Sequence, residues 1–119
     1  MGMDSVERKQ VVELTAENFE EGVFGAQPTL VDFWAPWCAP CRLMAPVVDA
    51  LAEIFAGRLI VGKVNVDRHA ALAASYGVSS IPTLKLFVGG EVMRTWVGAH
   101  HQTQLVRELA KTLQSQATA

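Results

Sequence analysis

Residues 29–35 (TLVDFWA) and 59–66 (LIVGKVNV) are two short, mostly apolar runs that flank a stretch with helical periodicity. That alternation restricts the fold more than any other feature. Apolar runs of this length, bounded by Pro28, Pro36 and Gly57, read as strands buried on both faces. Between them, Leu43, Met44, Val47, Val48, Leu51 and Phe55 recur at spacings of three and four. This predicts a helix over 40–56 with one apolar face, stopped by Gly57. Pro46 lies inside that helix and cannot donate to the carbonyl of Arg42, so a kink is expected there. Two buried strands joined through a helix are parallel, and helices should cover both faces of their sheet.

The remaining segments extend this plan. Residues 10–14 form a strand candidate, and Thr15 is placed to cap a first helix, with Leu14 and Phe19 as a hydrophobic staple. That helix should end near residues 22–25. Asp67 is placed to cap a short helix over 68–76, ended by Gly77. Residues 83–88 and 91–97 read as strands joined by Gly89-Gly90, which supplies two positions of positive φ for a tight hairpin. A last helix covers 103–114, with Leu105, Val106, Leu109 and Leu113 on its buried face. The expected order is β-α-β-α-β-α-β-β-α, an α/β class with a parallel core and an antiparallel edge.

One compact domain over residues 10–114 accounts for the chain, with 1–9 a flexible lead-in and 115–119 a C-terminal tail. The net charge of −2 gives no basic field, so nucleic acid and acidic membrane surfaces are poor partners. No apolar run approaches the roughly 18 residues that cross a bilayer. The polar first ten residues lack the apolar stretch of a secretory signal. With only two cysteines, this favours a reducing, cytoplasmic compartment.

Those two cysteines carry the chemistry. Cys38 and Cys41 stand three apart in Trp37-Cys38-Ala39-Pro40-Cys41-Arg42, after a strand and at the start of a helix. A disulfide between them closes only a tiny loop and makes a poor structural staple. A zinc site needs two more ligands, and His69, His100 and His101 lack finger spacing with the pair, so no metal is expected. Two inert buried thiols are the remaining bland reading. A helix start, by contrast, offers unpaired N–H groups and a partial positive charge, both of which stabilise a thiolate. A free thiol has a pKa of about 8.5 and is only slightly ionised at neutral pH. Pro40 fits near the first helical position, where its missing N–H costs nothing. Cys38, at the helix mouth, is the expected nucleophile. Cys41, one turn inside, is the expected resolving thiol.

Asp32 and Lys63 lie in the middle of the two buried runs. A lone buried charge is costly, so the two are expected near each other and near the cysteines. Asp32 reads either as a proton acceptor for Cys41, with burial raising its pKa, or as a satisfied ion-pair partner with no role in turnover.

The stretch Val31-Asp32-Phe33-Trp34-Ala35-Pro36-Trp37-Cys38-Ala39-Pro40-Cys41 closely resembles the redox segment of the thioredoxin family. The likeness continues through Pro46, Lys63-Val64-Asn65-Val66-Asp67, Tyr76-Gly77-Val78, Ile81-Pro82-Thr83, Gly89-Gly90-Glu91 and Val97-Gly98-Ala99, and so covers residues 10–114. It implies the thioredoxin fold, a central five-stranded mixed sheet flanked by four helices. It implies a cis bond at Ile81-Pro82 beside the cysteines, and an apolar docking surface for clients made by Trp37, Ile81, Pro82, Gly98 and Ala99. Trp34, inside a strand, reads as core, and Trp96 as packed on the sheet.

The resemblance further implies a monomeric protein-disulfide reductase with no bound cofactor. Its partners would be disulfide-containing client proteins and a flavin-dependent thioredoxin reductase, so that NADPH and FAD act indirectly. Two other roles suit the same fold: a disulfide oxidase or isomerase, and a redox-independent binding module or partner subunit. The sequence departs from the family's common pattern at Ala39, where Gly is usual, and at Ser80. Ala39, Pro40 and Lys63 are expected to tune the relative stability of dithiol and disulfide, on a scale where 30 mV corresponds to about 1.4 kcal/mol.

Overall fold

The computed structural model describes residues 11–118. The lead-in 1–9, Gln10 of the expected first strand, and Ala119 lie outside the described residues. The elements are β1 Val11–Glu13, α1 Phe19–Val23, β2 Thr29–Trp34, α2 Ala39–Ile54, β3 Ile60–Asn65, α3 Ala70–Ser75, β4 Thr83–Val88, β5 Glu91–Val97 and α4 Gln102–Thr118. The strands form one sheet in the order β1-β3-β2-β4-β5. β1, β3 and β2 run parallel, while β4 and β5 pair antiparallel. The thioredoxin fold expected from the sequence is the fold observed.

Alternation along β2 sorts its side chains between two cores. Leu30 joins Met44, Val48, Leu51 and Phe55 from α2 and Leu105 and Leu109 from α4. Val31 and Phe33 face the other way, toward Phe19 and Val23 of α1 and Ala73 of α3. On that second face Phe19, Tyr76 and Phe87 form a ring cluster with centroids 5.3–5.6 Å apart. Tilted and edge-on aromatic contacts of this kind add to the gain from burial. On the first face a polar clasp ties β5 to α4. Glu108 accepts from Trp96 Nε1 at 2.7 Å and pairs with Arg94 at 2.9 Å.

Several local expectations are corrected. Leu43 is 73% exposed, because the inward stripe of α2 runs through Met44, Val48, Leu51 and Ala52 and leaves Leu43 on its flank. The placing of Pro46 inside this helix stands, and the helix runs past it to Ile54. Thr15 does not cap α1, whose cap position is Asn18. Instead the two clasp the turn before it: Thr15 N–H donates to Asn18 Oδ1 at 2.7 Å, and Asn18 N–H donates to Thr15 Oγ1 at 3.3 Å. Asp67 does not cap α3, which starts later, after His69. α4 runs past Gln114 to Thr118, through most of the segment read as a tail. No glycine or proline follows Gln114 to stop it.

The β4–β5 turn is Gly89-Gly90, with φ of +60° and +87°. A Cβ at Gly90 would overlap the Phe24 ring, whereas one at Gly89 would meet open space. Gly89→Ala therefore carries only the left-handed backbone cost, about 1–2 kcal/mol. Gly90→Ala carries that cost and displaces Phe24 as well. Urea unfolding midpoints should fall for both and fall further for Gly90→Ala.

Candidate active site

Cys38 and Cys41 are joined by a disulfide, with their Cα atoms 5.2 Å apart. Cys38 is the N-cap residue of α2, and Pro40 lies in the first turn. The Cys41 backbone N–H donates to Cys38 Sγ at 3.2 Å. One orphan donor of the helix start thus aims at the sulfur expected to react, which stabilises negative charge there. Both cysteines are buried, in a small cluster with Ala35 that Trp34, Val66 and Ile81 pack against. The Ile81 carbonyl oxygen stands 3.9 Å from Cys38 Sγ.

Asp32 points to the same side of the sheet as Leu30, the side that α2 covers. It is 1% exposed, and its Oδ1 has no hydrogen-bond partner. Burial pushes its carboxyl from 3.8 up to about 7, against a smaller downward pull from the Lys63 charge. Lys63 is its register partner on β3, as the sequence predicts. The two do not form an ion pair within 4 Å, however. The Lys63 ammonium instead sits over the Trp34 ring, 4.2 Å from its centroid. Trp34 is accordingly half-buried at the site rather than in the core. The cation stays near the ring face because that face is electron-rich.

The rim is built by two other elements. Ile81-Pro82 is a cis peptide. Gly98 N–H donates to the Pro82 carbonyl at 2.8 Å, which ties the Gly98-Ala99 loop to it. Gly98 has φ of +86°, a conformation that suits glycine. Trp37 is 66% exposed, and its Nε1 donates to both Asp67 carboxylate oxygens at 2.9 and 3.1 Å. Beside it an open groove of about 290 Å³ runs between Val66, Ala70, Ala74, Val78 and Ile81.

This arrangement sets a redox-active sulfur pair at a helix start, next to an open apolar groove, on a sheet that also buries the Asp32 carboxyl group. A family model described as Thioredoxin matches residues 10–111. The chain belongs to the thioredoxin family. It is 46% identical over 101 residues to the thioredoxin of Alicyclobacillus acidocaldarius subsp. acidocaldarius, covering 85% of this chain and 96% of that protein. It is 48% identical over 97 residues to the thioredoxin of Haemophilus influenzae, covering 81% and 91%. Thioredoxin 1 of Nostoc sp. (strain PCC 7120) is 46% identical over 102 residues, covering 85% and 95%. Like other members of the thioredoxin family, the chain is a thiol–disulfide oxidoreductase, and its reacting atoms are the sulfurs of Cys38 and Cys41.

Two residues at this thioredoxin-family site were not assigned there from the sequence. Asp67, read as a helix cap, holds the Trp37 indole, and Trp34, read as core, carries the Lys63 ammonium. Topology contains the missing signal. β2 and β3 are parallel neighbours, so their C-terminal ends share an edge where open α/β sheets place their sites. Residues just past Trp34 and Asn65 are therefore neighbours.

Proposed function

We propose that the chain is a general protein-disulfide reductase in which Cys38 attacks and Cys41 resolves. The carrying observation is the disulfide at the N-cap of α2, with a backbone N–H directed at Cys38 Sγ. In the reduced protein the Cys38 thiolate attacks one sulfur of a client disulfide. A Cys38–client bond forms, the client disulfide breaks, and the other client sulfur leaves as a thiolate. Cys41 gives its proton to the Asp32 carboxylate and attacks Cys38 Sγ. The Cys38–Cys41 bond forms and the second client thiolate leaves. Two electrons pass from the protein to the client.

Asp32 suits the acceptor role because its carboxyl group titrates near neutral pH. Trp37, Ile81, Pro82, Gly98 and Ala99 form the docking rim for an extended client segment. The groove beside Trp37 and Ile81 supports this, since it is open and mostly apolar. Ala39 and Pro40, both exposed beside the disulfide, tune its potential. Trp37→Ala should raise KM for a protein disulfide several-fold and leave kcat closer to wild type. Steady-state kinetics measure that split.

A flavin-dependent thioredoxin reductase returns electrons from NADPH to the Cys38–Cys41 bond, and the chain itself binds no cofactor. It works as a cytoplasmic monomer. Among the described residues, no helix is long and apolar enough to cross a membrane. The assay is reduction of insulin disulfides with NADPH and a thioredoxin reductase. Steady NADPH oxidation that depends on the chain is expected, and its absence with intact thiols overturns the reading.

A further inference from the structure

We propose that Trp34 is a positioning residue for the exchange reaction: its indole face holds the Lys63 ammonium off Asp32 and leaves that carboxyl group free to take a proton. The inference rests on the reading of Asp32 as the proton acceptor.

The geometry is unusual for a buried acid. Asp32 and Lys63 are register partners on adjacent parallel strands, and their side chains stand on the same face. In that position an ion pair is the expected outcome, because each charge is costly to bury alone. Yet Asp32 Oδ1 is unpartnered, and the ammonium lies 4.2 Å from the Trp34 centroid. Trp34 is two residues along β2 from Asp32, on the same face, so ring and carboxylate compete for one cation.

No other charged side chain takes Lys63's place. On β4 the register partner of Asp32 is Leu84. On α2, Arg42 donates to the Pro36 carbonyl at 3.0 Å. Across the sheet, Arg94 of β5 and Glu108 of α4 are paired to each other. At the rim, Asp67 is engaged by the Trp37 indole. Cys38 and Cys41 do not titrate as a disulfide. On β1 the register partner of Lys63 is Glu13, which is exposed to solvent and makes no ion pair with it. Removing the ring therefore leaves Asp32 as the one buried carboxyl group beside Lys63 among the described residues. An opposite charge brought within contact of a carboxylate lowers its pKa by about 1–3 units.

The test is a carbon-13 titration of the Asp32 carboxyl group in the oxidised full-length chain. Trp34→Leu should lower the midpoint by about one pH unit or more. Introducing Trp34→Leu into a Lys63→Met background should produce no such fall. An unchanged midpoint in Trp34→Leu, or an equal fall without Lys63, overturns the proposal. A second measurement needs no variant. The Lys63 ε-methylene protons of the wild-type chain should resonate upfield through the indole ring current, and ordinary lysine shifts overturn the proposal. Neither readout involves turnover. The acceptor reading is tested separately by the effect of Asp32→Asn on mixed-disulfide resolution, so the two ideas fail independently.

Discussion

Asp32→Asn stabilises the fold at pH 8 by several kcal/mol, with an upper value of about 4, and changes it little near pH 4. The sign follows from where the proton sits. The Asp32 carboxyl titrates at about 7 in the folded chain, against an ordinary 3.8. Below the lower value both states are protonated and the group contributes no pH dependence. Between the two values the unfolded chain ionises and the folded chain does not. Stability is therefore lost as pH rises from about 4 to about 7, and the loss is complete above that. At 1.36 kcal/mol per pH unit, the gap corresponds to the upper value given. Asparagine keeps the shape and carries no charge. Urea unfolding of both proteins across this range measures the difference, which excludes groups common to both, such as Glu108. The same substitution should slow resolution of the mixed disulfide and remove its titration near pH 7. A stability gain with an unchanged resolution profile would leave Asp32 a structural burden with no part in turnover.

Cys38→Ser lowers protein-disulfide reduction by at least about 1,000-fold, because no other group supplies a thiolate at the mouth of α2. Cys41→Ser blocks turnover as completely but at a later step. Its Cys38 still sits at the N-cap of the helix, with the residue 41 backbone N–H directed at its sulfur. The first half-reaction survives, and the client stays attached. The two variants are thus equal in a steady-state assay and opposite in a single-turnover one. Serine at either position closely preserves shape, so changed folding does not explain that contrast.

The parts of this molecule that follow from short-range pattern were readable in the sequence. Mostly apolar runs marked Thr29–Trp34 and Ile60–Asn65 as strands buried on both faces. Gly89-Gly90 marked the hairpin, because two adjacent positive φ values are costly for other residues. The spacing of Cys38 and Cys41 at a helix start limited their chemistry before any partner was visible. What escaped depends on which neighbour a side chain finds after folding. Leu43 satisfies the helical spacing as well as Val47 does, and only the packing of α2 on the sheet decides that it faces outward. Asp67 is a good cap residue by type, yet its carboxylate is engaged by an indole 30 positions earlier. Lys63 and Asp32 were rightly brought together by the cost of burying charge. The competing ring of Trp34 is a matter of side-chain direction, which strand alternation restricts to a face but does not resolve further.

The identities of the two sulfurs are tested most directly by trapping the intermediate. Reduced Cys41→Ser protein is mixed with oxidised insulin, quenched with acid, digested and examined by mass spectrometry. A covalent adduct carried on the Cys38 peptide, absent when Cys38→Ser protein is used, is the predicted result. An adduct that forms equally on Cys41 in the Cys38→Ser protein, or no adduct in either variant, would contradict the assignment of attack to Cys38.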